Sequence, residues 1–140
     1  MAGKNKKAND KHALPCPCHS GQPYKDCCRP FHKGRAVQTH TQLMRARYAA
    51  YAMGNVDFIL HTTHPDSPHQ QADHVQWRAE VRDFCERTDF LGLEILDVSE
   101  THTSFRATLR QGIRDASFGE TSLFRLHQDR WHYVSGEPIT

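Results

Sequence analysis

Leu91-Gly92-Leu93-Glu94-Ile95-Leu96-Asp97-Val98 is the stretch at which the hydrophobic period of this chain changes. Leu91, Leu93 and Ile95 alternate with Gly92 and Glu94, the period of a strand with one face buried. Leu96 and Val98 take the opposite parity, which predicts a bulge or burial on both faces. The period of two continues downstream. Phe105, Ala107 and Leu109 alternate with Arg106, Thr108 and Arg110, and Gln111-Gly112 reads as a turn. Ala116, Phe118, Ser122, Phe124 and Leu126 share one parity, with a kink expected at Gly119. His127-Gln128-Asp129-Arg130 reads as a hairpin loop before a last strand, Trp131-His132-Tyr133-Val134. Strands joined by short turns predict an antiparallel meander.

Upstream of Leu91 the period is helical. Trp77, Val81, Phe84, Cys85 and Thr88 fall on one face of a helix beginning near Asp73, which makes Cys85 a core cysteine. Asn55 caps a shorter helix carrying Phe58, Ile59 and Leu60, and Pro65 bounds it. Before it, Leu43, Met44, Tyr48, Tyr51 and Ala52 form a stripe between a cap at Thr39 or Thr41 and a stop at Gly54. Arg47 lies on the inner side of that stripe. Either it and the flanking Arg45 both snorkel outward, or Arg47 reaches an inner cavity and meets a carboxylate. Helices followed by an antiparallel sheet give an α+β fold. A strongly curved sheet with helices in its concave side leaves a cone with a pocket. Polar groups expected to face that pocket are Arg47, Tyr48, Asp57, His61, His64 and Glu120. A histidine beside a carboxylate there would suit acid–base work or a small-molecule ligand, although His61 and His64 also read as surface residues at a helix end. No local pattern specifies a reaction, so an enzyme is not the expected reading.

The other decisive stretch is Cys16-Pro17-Cys18-His19-Ser20-Gly21-Gln22-Pro23-Tyr24-Lys25-Asp26-Cys27-Cys28, a C-x-C-x8-C-C pattern holding four of the five cysteines. A redox pair would want C-x-x-C, which is absent, and adjacent Cys27 and Cys28 bond each other poorly. Four thiolates suit a closed tetrahedral site, with Zn²⁺ favoured by ligand softness and an iron ion accommodated by the same cage. His19 and His32 are reserve ligands. The implied organisation is a disordered basic leader over 1–13, a metal knuckle over 14–35 and an α+β body over 36–140.

Charge divides along the same line. Residues 1–35 carry eight Lys and Arg against two acids, whereas residues 36–140 carry ten Arg against fourteen acids and no lysine. A basic first segment suits an acidic or phosphate-bearing partner, or serves only as a solvated tail. Its aromatics, Tyr24 and Phe31, are too few for base stacking to dominate nucleic-acid binding. No apolar run approaches the roughly 18 residues of a membrane span, and no secretory signal follows the basic N-terminus. The expected location is the cytoplasm, where thiols stay reduced.

The cysteine stretch resembles the SEC-C motif, the zinc knuckle of the SecA translocase motor. By position the resemblance implies Cys16, Cys18, Cys27 and Cys28 as ligands. His19 stands where the usual C-P-C-G-S-G start has its first glycine, which implies a changed turn or a further ligand. Pro30-Phe31-His32, Leu43-Met44-Arg45-Ala46-Arg47-Tyr48-Ala49-Ala50-Tyr51, Gly54-Asn55-Val56-Asp57-Phe58, His64-Pro65 and the segment from Ser122 to Gly136 resemble the YchJ family. That resemblance covers nearly the whole chain from about residue 14. It implies a nuclear-transport-factor-2-like body, a cone of curved sheet and three helices. Some members carry a second knuckle after the body; no cysteine follows Cys85 here, so a function needing two knuckles is not expected. SEC-C knuckles of the translocase dock chaperone and ribosomal surfaces, which implies a protein or ribonucleoprotein partner for residues 1–35.

Overall fold

The computed structural model describes residues 13–139, so the leader expected over 1–13 lies outside the described residues except for Ala13. A bridge between Pro15 and Pro23 closes a small loop. A 3-10 turn, Tyr24–Asp26, and a single helical turn, α1 (Arg29–His32), follow it. The body then runs α2 (His40–Met53), α3 (Val56–His61), α4 (His74–Glu86), β1 (Asp89–Val98), β2 (His102–Gln111), β3 (Arg114–Asp115), β4 (Phe118–His127) and β5 (Arg130–Pro138).

Each main helix starts on the cap its sequence offers. The side chains of Thr39, Asn55 and Asp73 accept from the backbone N–H of Gln42, Phe58 and Gln76. Gly54 ends α2 in the left-handed region at φ 73°, where a side chain is disfavoured. The α2 helix is the axis of the molecule. Leu43, Met44 and Tyr48 pack with Phe105, Leu109 and Phe124 of the sheet. Ala46 and Ala49 face the cysteine loop, and Ala50 faces α3 and α4. The sequence stripe marks only the first of these faces; alanines let two further layers approach the same helix closely. Cys85 is half-buried beside the Trp77 and Val81 cluster, and burial pushes its thiol up, as for an inert core cysteine.

The sheet is an antiparallel meander in the order β1-β2-β4-β5, with β3 paired to β2. Bulges interrupt its ladders, two in the β1–β2 pair and one in the β4–β5 pair, between Leu123 and Phe124. Register jumps between Phe90 and Gly92 and again between Ile95 and Asp97, so Leu91 and Leu96 are each an extra residue. The second bulge is the expected one. The first moves Leu91 off the parity of Leu93 and Ile95, and its side chain is exposed. The strand expected from Ala116 begins at Phe118. Ser117 Oγ accepts from Leu109 N, and Asp115 accepts from Ser117 N, which takes this segment out of the ladder. Gln128 and Asp129 both adopt positive φ, 52° and 63°, the two-residue turn whose twist suits a hairpin. No helix of the described residues is long and apolar enough to cross a membrane.

Candidate functional site

The cysteine loop is held by its own backbone. Cys16 N donates to Gln22 O, His19 N to Cys16 O and Cys27 N to Tyr24 O. The 3-10 turn thereby delivers Cys27 and Cys28 opposite Cys16 and Cys18. The four sulfurs lie within 4.8 Å of one another, and among the described residues no other group of three or more potential ligands does so. Cys18 and Cys27 sulfurs are 3.5 Å apart, and those of Cys27 and Cys28 3.9 Å. A tetrahedral Zn–thiolate site with bonds of about 2.3 Å needs sulfurs roughly 3.8 Å apart, so the cage fits such an ion. Three of the sulfurs belong to buried residues, and Cys27 is half-buried with Ser20 Oγ 3.1 Å away.

The thiols of Cys16, Cys18 and Cys28 shift one another. Hydrogen bonds from Cys16 and then Cys28 hold Cys18 far below the ordinary thiol range. The same bond to Cys18 pushes Cys16 up to about 12, and bonds with Cys16 and Cys18 push Cys28 up further. By itself the cage therefore favours the thiolate at Cys18 over those at Cys16 and Cys28. A bound dication would override this preference, since a coordinating thiol is deprotonated.

Neither reserve histidine turns to the sulfurs. Nε2 of His32 donates to Ala46 O at 2.8 Å, and Nδ1 accepts from the Tyr24 hydroxyl at 2.7 Å, so both ring nitrogens are engaged. Burial holds its pKa below the ordinary value. His19 adopts φ 62°, keeping the glycine-like turn with a side chain in place. Its Nε2 lies 3.2 Å from Phe90 O of β1, and its ring meets Tyr48 edge-on. With Arg45 Nη1 donating to Cys18 O at 3.1 Å, these histidines clamp the knuckle to the body.

A second candidate site lies inside the cone, a cavity of about 380 Å³ between α2, α4 and the concave face of the sheet. Of the six pocket candidates, Arg47, Tyr48 and Glu120 line it. Arg47 is buried, but it does not meet a carboxylate among the described residues. Its Nη1 donates to Ile59 O, Thr62 Oγ1 and Thr63 Oγ1 at 3.1, 2.8 and 3.3 Å, and its guanidinium lies over the Tyr133 ring. Polar oxygens and a ring face disperse its charge in place of an ion pair. Tyr48 donates to Gly92 O, and burial pushes its hydroxyl up to about 12. Glu120 Oε2 accepts from Ser122 Oγ at 2.5 Å and from the Tyr133 hydroxyl at 3.3 Å.

The remaining candidates sit elsewhere. Asp57 is exposed in the first turn of α3 and pairs with Arg78 of α4. His61, also exposed, borders an outer cleft with Asp57 and His132. Asp57 and His61 occupy the solvent side of a six-residue helix whose inner side is taken by Val56, Ile59 and Leu60. His64 is buried in a trio with His127 and His132, ring centres 5.3–6.2 Å apart. Its Nδ1 accepts from Asp66 N, and its backbone N–H donates to Tyr133 O. Tyr51, Ser122 and Tyr133 also line the cavity but were not expected there. A Cβ at Gly136 would occupy the place of the Glu120 carboxyl. The signal available was a tyrosine, rather than a phenylalanine, at inward positions, because a buried hydroxyl needs a partner.

Comparison with known proteins matches both parts. Residues 39–136 match the family described as YchJ, middle NTF2-like domain, and residues 14–30 match the SEC-C motif. A UPF0225 protein of Actinobacillus succinogenes is 36% identical over 126 residues, covering 85% of this chain and 79% of that one. Another from Streptomyces coelicolor is 35% identical over 127 residues, covering 88% and 94%. The solution structure of a SEC-C motif containing protein from Rhodopseudomonas palustris superposes with a TM-score of 0.73 at 32% identity, covering 91% of this chain and all of that one. A crystal structure of a SEC-C motif containing protein from Psychrobacter arcticus has the same fold, with a TM-score of 0.70 at 20% identity and coverage of 93% and 85%.

Proposed function

The chain belongs to the YchJ (UPF0225) family, and on that premise we propose that it is a zinc-binding adaptor whose metal knuckle presents a docking surface for a protein or ribonucleoprotein partner. The observation that carries this reading is the four-sulfur cage packed against α2. Cys16, Cys18, Cys27 and Cys28 would hold the ion, and four protein ligands leave no open position for a substrate. The metal's part is then to shape a surface. Thiolate ligands favour Zn²⁺, and iron is the competing ion. On the outer rim of the loop Gly21, Gln22, Lys25 and Asp26 are exposed, and the first 35 residues carry a net positive charge. A reduced compartment, the cytoplasm, suits free thiols.

Affinity capture with the intact chain and with a Cys16→Ser/Cys18→Ser variant, with metal analysis of both, tests the proposal. A partner retained by the intact chain and lost with the metal supports it. The same partners on both would end it.

A second reading is favoured by the cavity itself. Its volume falls in the range of small-molecule sites, and its walls combine apolar rings with a few convergent polar groups. In this reading the cone binds a small molecule while the knuckle docks. No reaction is assigned to it: Tyr133 donates to Glu120 and stacks on Arg47, while Tyr48 donates to Gly92 O.

A further inference from the structure

We propose that the cavity of the cone is a binding site for a small organic cation, an amine or quaternary ammonium carried on an apolar or aromatic body. The inference rests on the second reading above, that the cavity takes a small molecule at all.

The first support is the wall. Nine Phe, Tyr and Trp side chains line the cavity of about 380 Å³. The face of an aromatic ring is the negative end of its quadrupole, so such a lining attracts a desolvated cation more than a neutral group, and repels an anion.

The second is Glu120. Its carboxylate is half-buried at the cavity's polar end, and both donors to Oε2, Ser122 and Tyr133, are neutral hydroxyls. Among the described residues no cation forms an ion pair with it. Gly136 lies directly behind, where any Cβ would displace the carboxyl group. The strand thus makes room for a charge that it does not neutralise. A carboxylate withdrawn from water is stabilised by an opposite charge.

The third is Arg47, which lines the same cavity with its Nη1 and one face of its guanidinium already engaged. Its Nη1 already serves three oxygens and its guanidinium rests on the Tyr133 ring. Tyr133 thereby separates the two charges, with its face toward Arg47 and its hydroxyl toward Glu120. Glu80, an exposed residue of the lining that accepts from Gln71, is a second acid, so the lining carries Arg47 and His69 beside two carboxylates. A ligand carboxylate at Glu120 would meet like charge, with the Tyr133 ring between it and Arg47. A wholly apolar ligand would bury Glu120 further without a counter-charge.

The test uses three compounds with one ring and different charge: phenethylamine, 2-phenylethanol and 3-phenylpropionate. Each is titrated at pH 7 into the metal-loaded full chain and followed by amide NMR shifts. Phenethylamine is expected to bind at least tenfold tighter than either other compound and to move the amides of Glu120, Ser122 and Tyr133. In Glu120→Gln its affinity should fall to that of 2-phenylethanol, whose own binding is unchanged. Equal affinities for all three, or preference for the anion, overturn the cation assignment and leave a ligand cavity. Absence of shifts at cavity residues with all three overturns both. The charge series is read on the wild-type chain, so it stands whether or not the variant folds.

Discussion

The guanidinium carbon of Arg47 sits 4.6 Å from the centre of the Tyr133 ring. This stack joins α2 to β5 across the cone, and the threonines that follow α3 close it from the side. A lysine can supply the charge but not the flat surface or the fixed fork of donors. Hydrogen bonds to a charged group contribute about 1.5–3 kcal/mol, and a desolvated cation–π contact about 2 kcal/mol. Arg47→Lys is therefore expected to lower stability by about 2 kcal/mol and Arg47→Met by more, read as a shift in urea midpoint at constant slope. An unchanged midpoint in Arg47→Lys would show that the stack contributes nothing.

Metal removal is expected to reach the body as well as the knuckle. Besides the bond from Arg130 to Gly34, three hydrogen bonds cross between their described residues, from His19 to Phe90, from His32 to Ala46 and from Arg45 to Cys18. At about 1 kcal/mol each, losing them lowers stability by about 3 kcal/mol, or roughly 10 °C in Tm. Chelator added to the metal-loaded chain should give this drop, and Arg45→Ala should make it smaller, since one crossing bond is already gone. A Tm of the body that ignores chelation would mean that the knuckle is merely tethered.

Features written in neighbouring residues were legible in the sequence. Thr39, Asn55 and Asp73 cap helices by contacts three residues away, and the four cysteines converge within one short loop. Features that depend on distant register were not. Leu91 looked inward until a bulge beside it shifted its parity. For Arg47 the sequence left open snorkelling outward or meeting a carboxylate; in the fold it is buried against threonine hydroxyls after α3 and a ring of β5. Asp57 and His61 read as pocket residues because the inner side of a six-residue helix is set by what packs on it, not by its own pattern.

His19 holds φ 62° without being glycine, at a strain of about 1 kcal/mol. Its ring repays part of this through Phe90 O and Tyr48. His19→Ala keeps the strained backbone and loses the ring, whereas His19→Gly loses both. The alanine variant should be the least stable of the three, about 1 kcal/mol below the glycine variant in chemical denaturation. Alanine equal to glycine would show that the turn relaxes and stores no strain.

Acid should weaken the fold through the histidine trio. Burial holds His64 and His132 below the ordinary imidazole value, and neighbouring positive groups, Arg125 and His127 for His64, His127 and His64 for His132, act in the same direction. Their native form is therefore neutral, while the same residues in the unfolded chain take up protons below about pH 6.5. The unfolded state then binds more protons, so stability is full above that value and falls as pH drops through it, until the lowered native pKa values are passed. Urea midpoints between pH 7.5 and 5.5 should decline accordingly. Metal loss in acid would give a similar slope, so the deciding comparison is His132→Gln, which leaves the cysteines intact and should flatten the decline while metal content stays the same. A slope unchanged in that variant would assign the acid sensitivity to the knuckle instead.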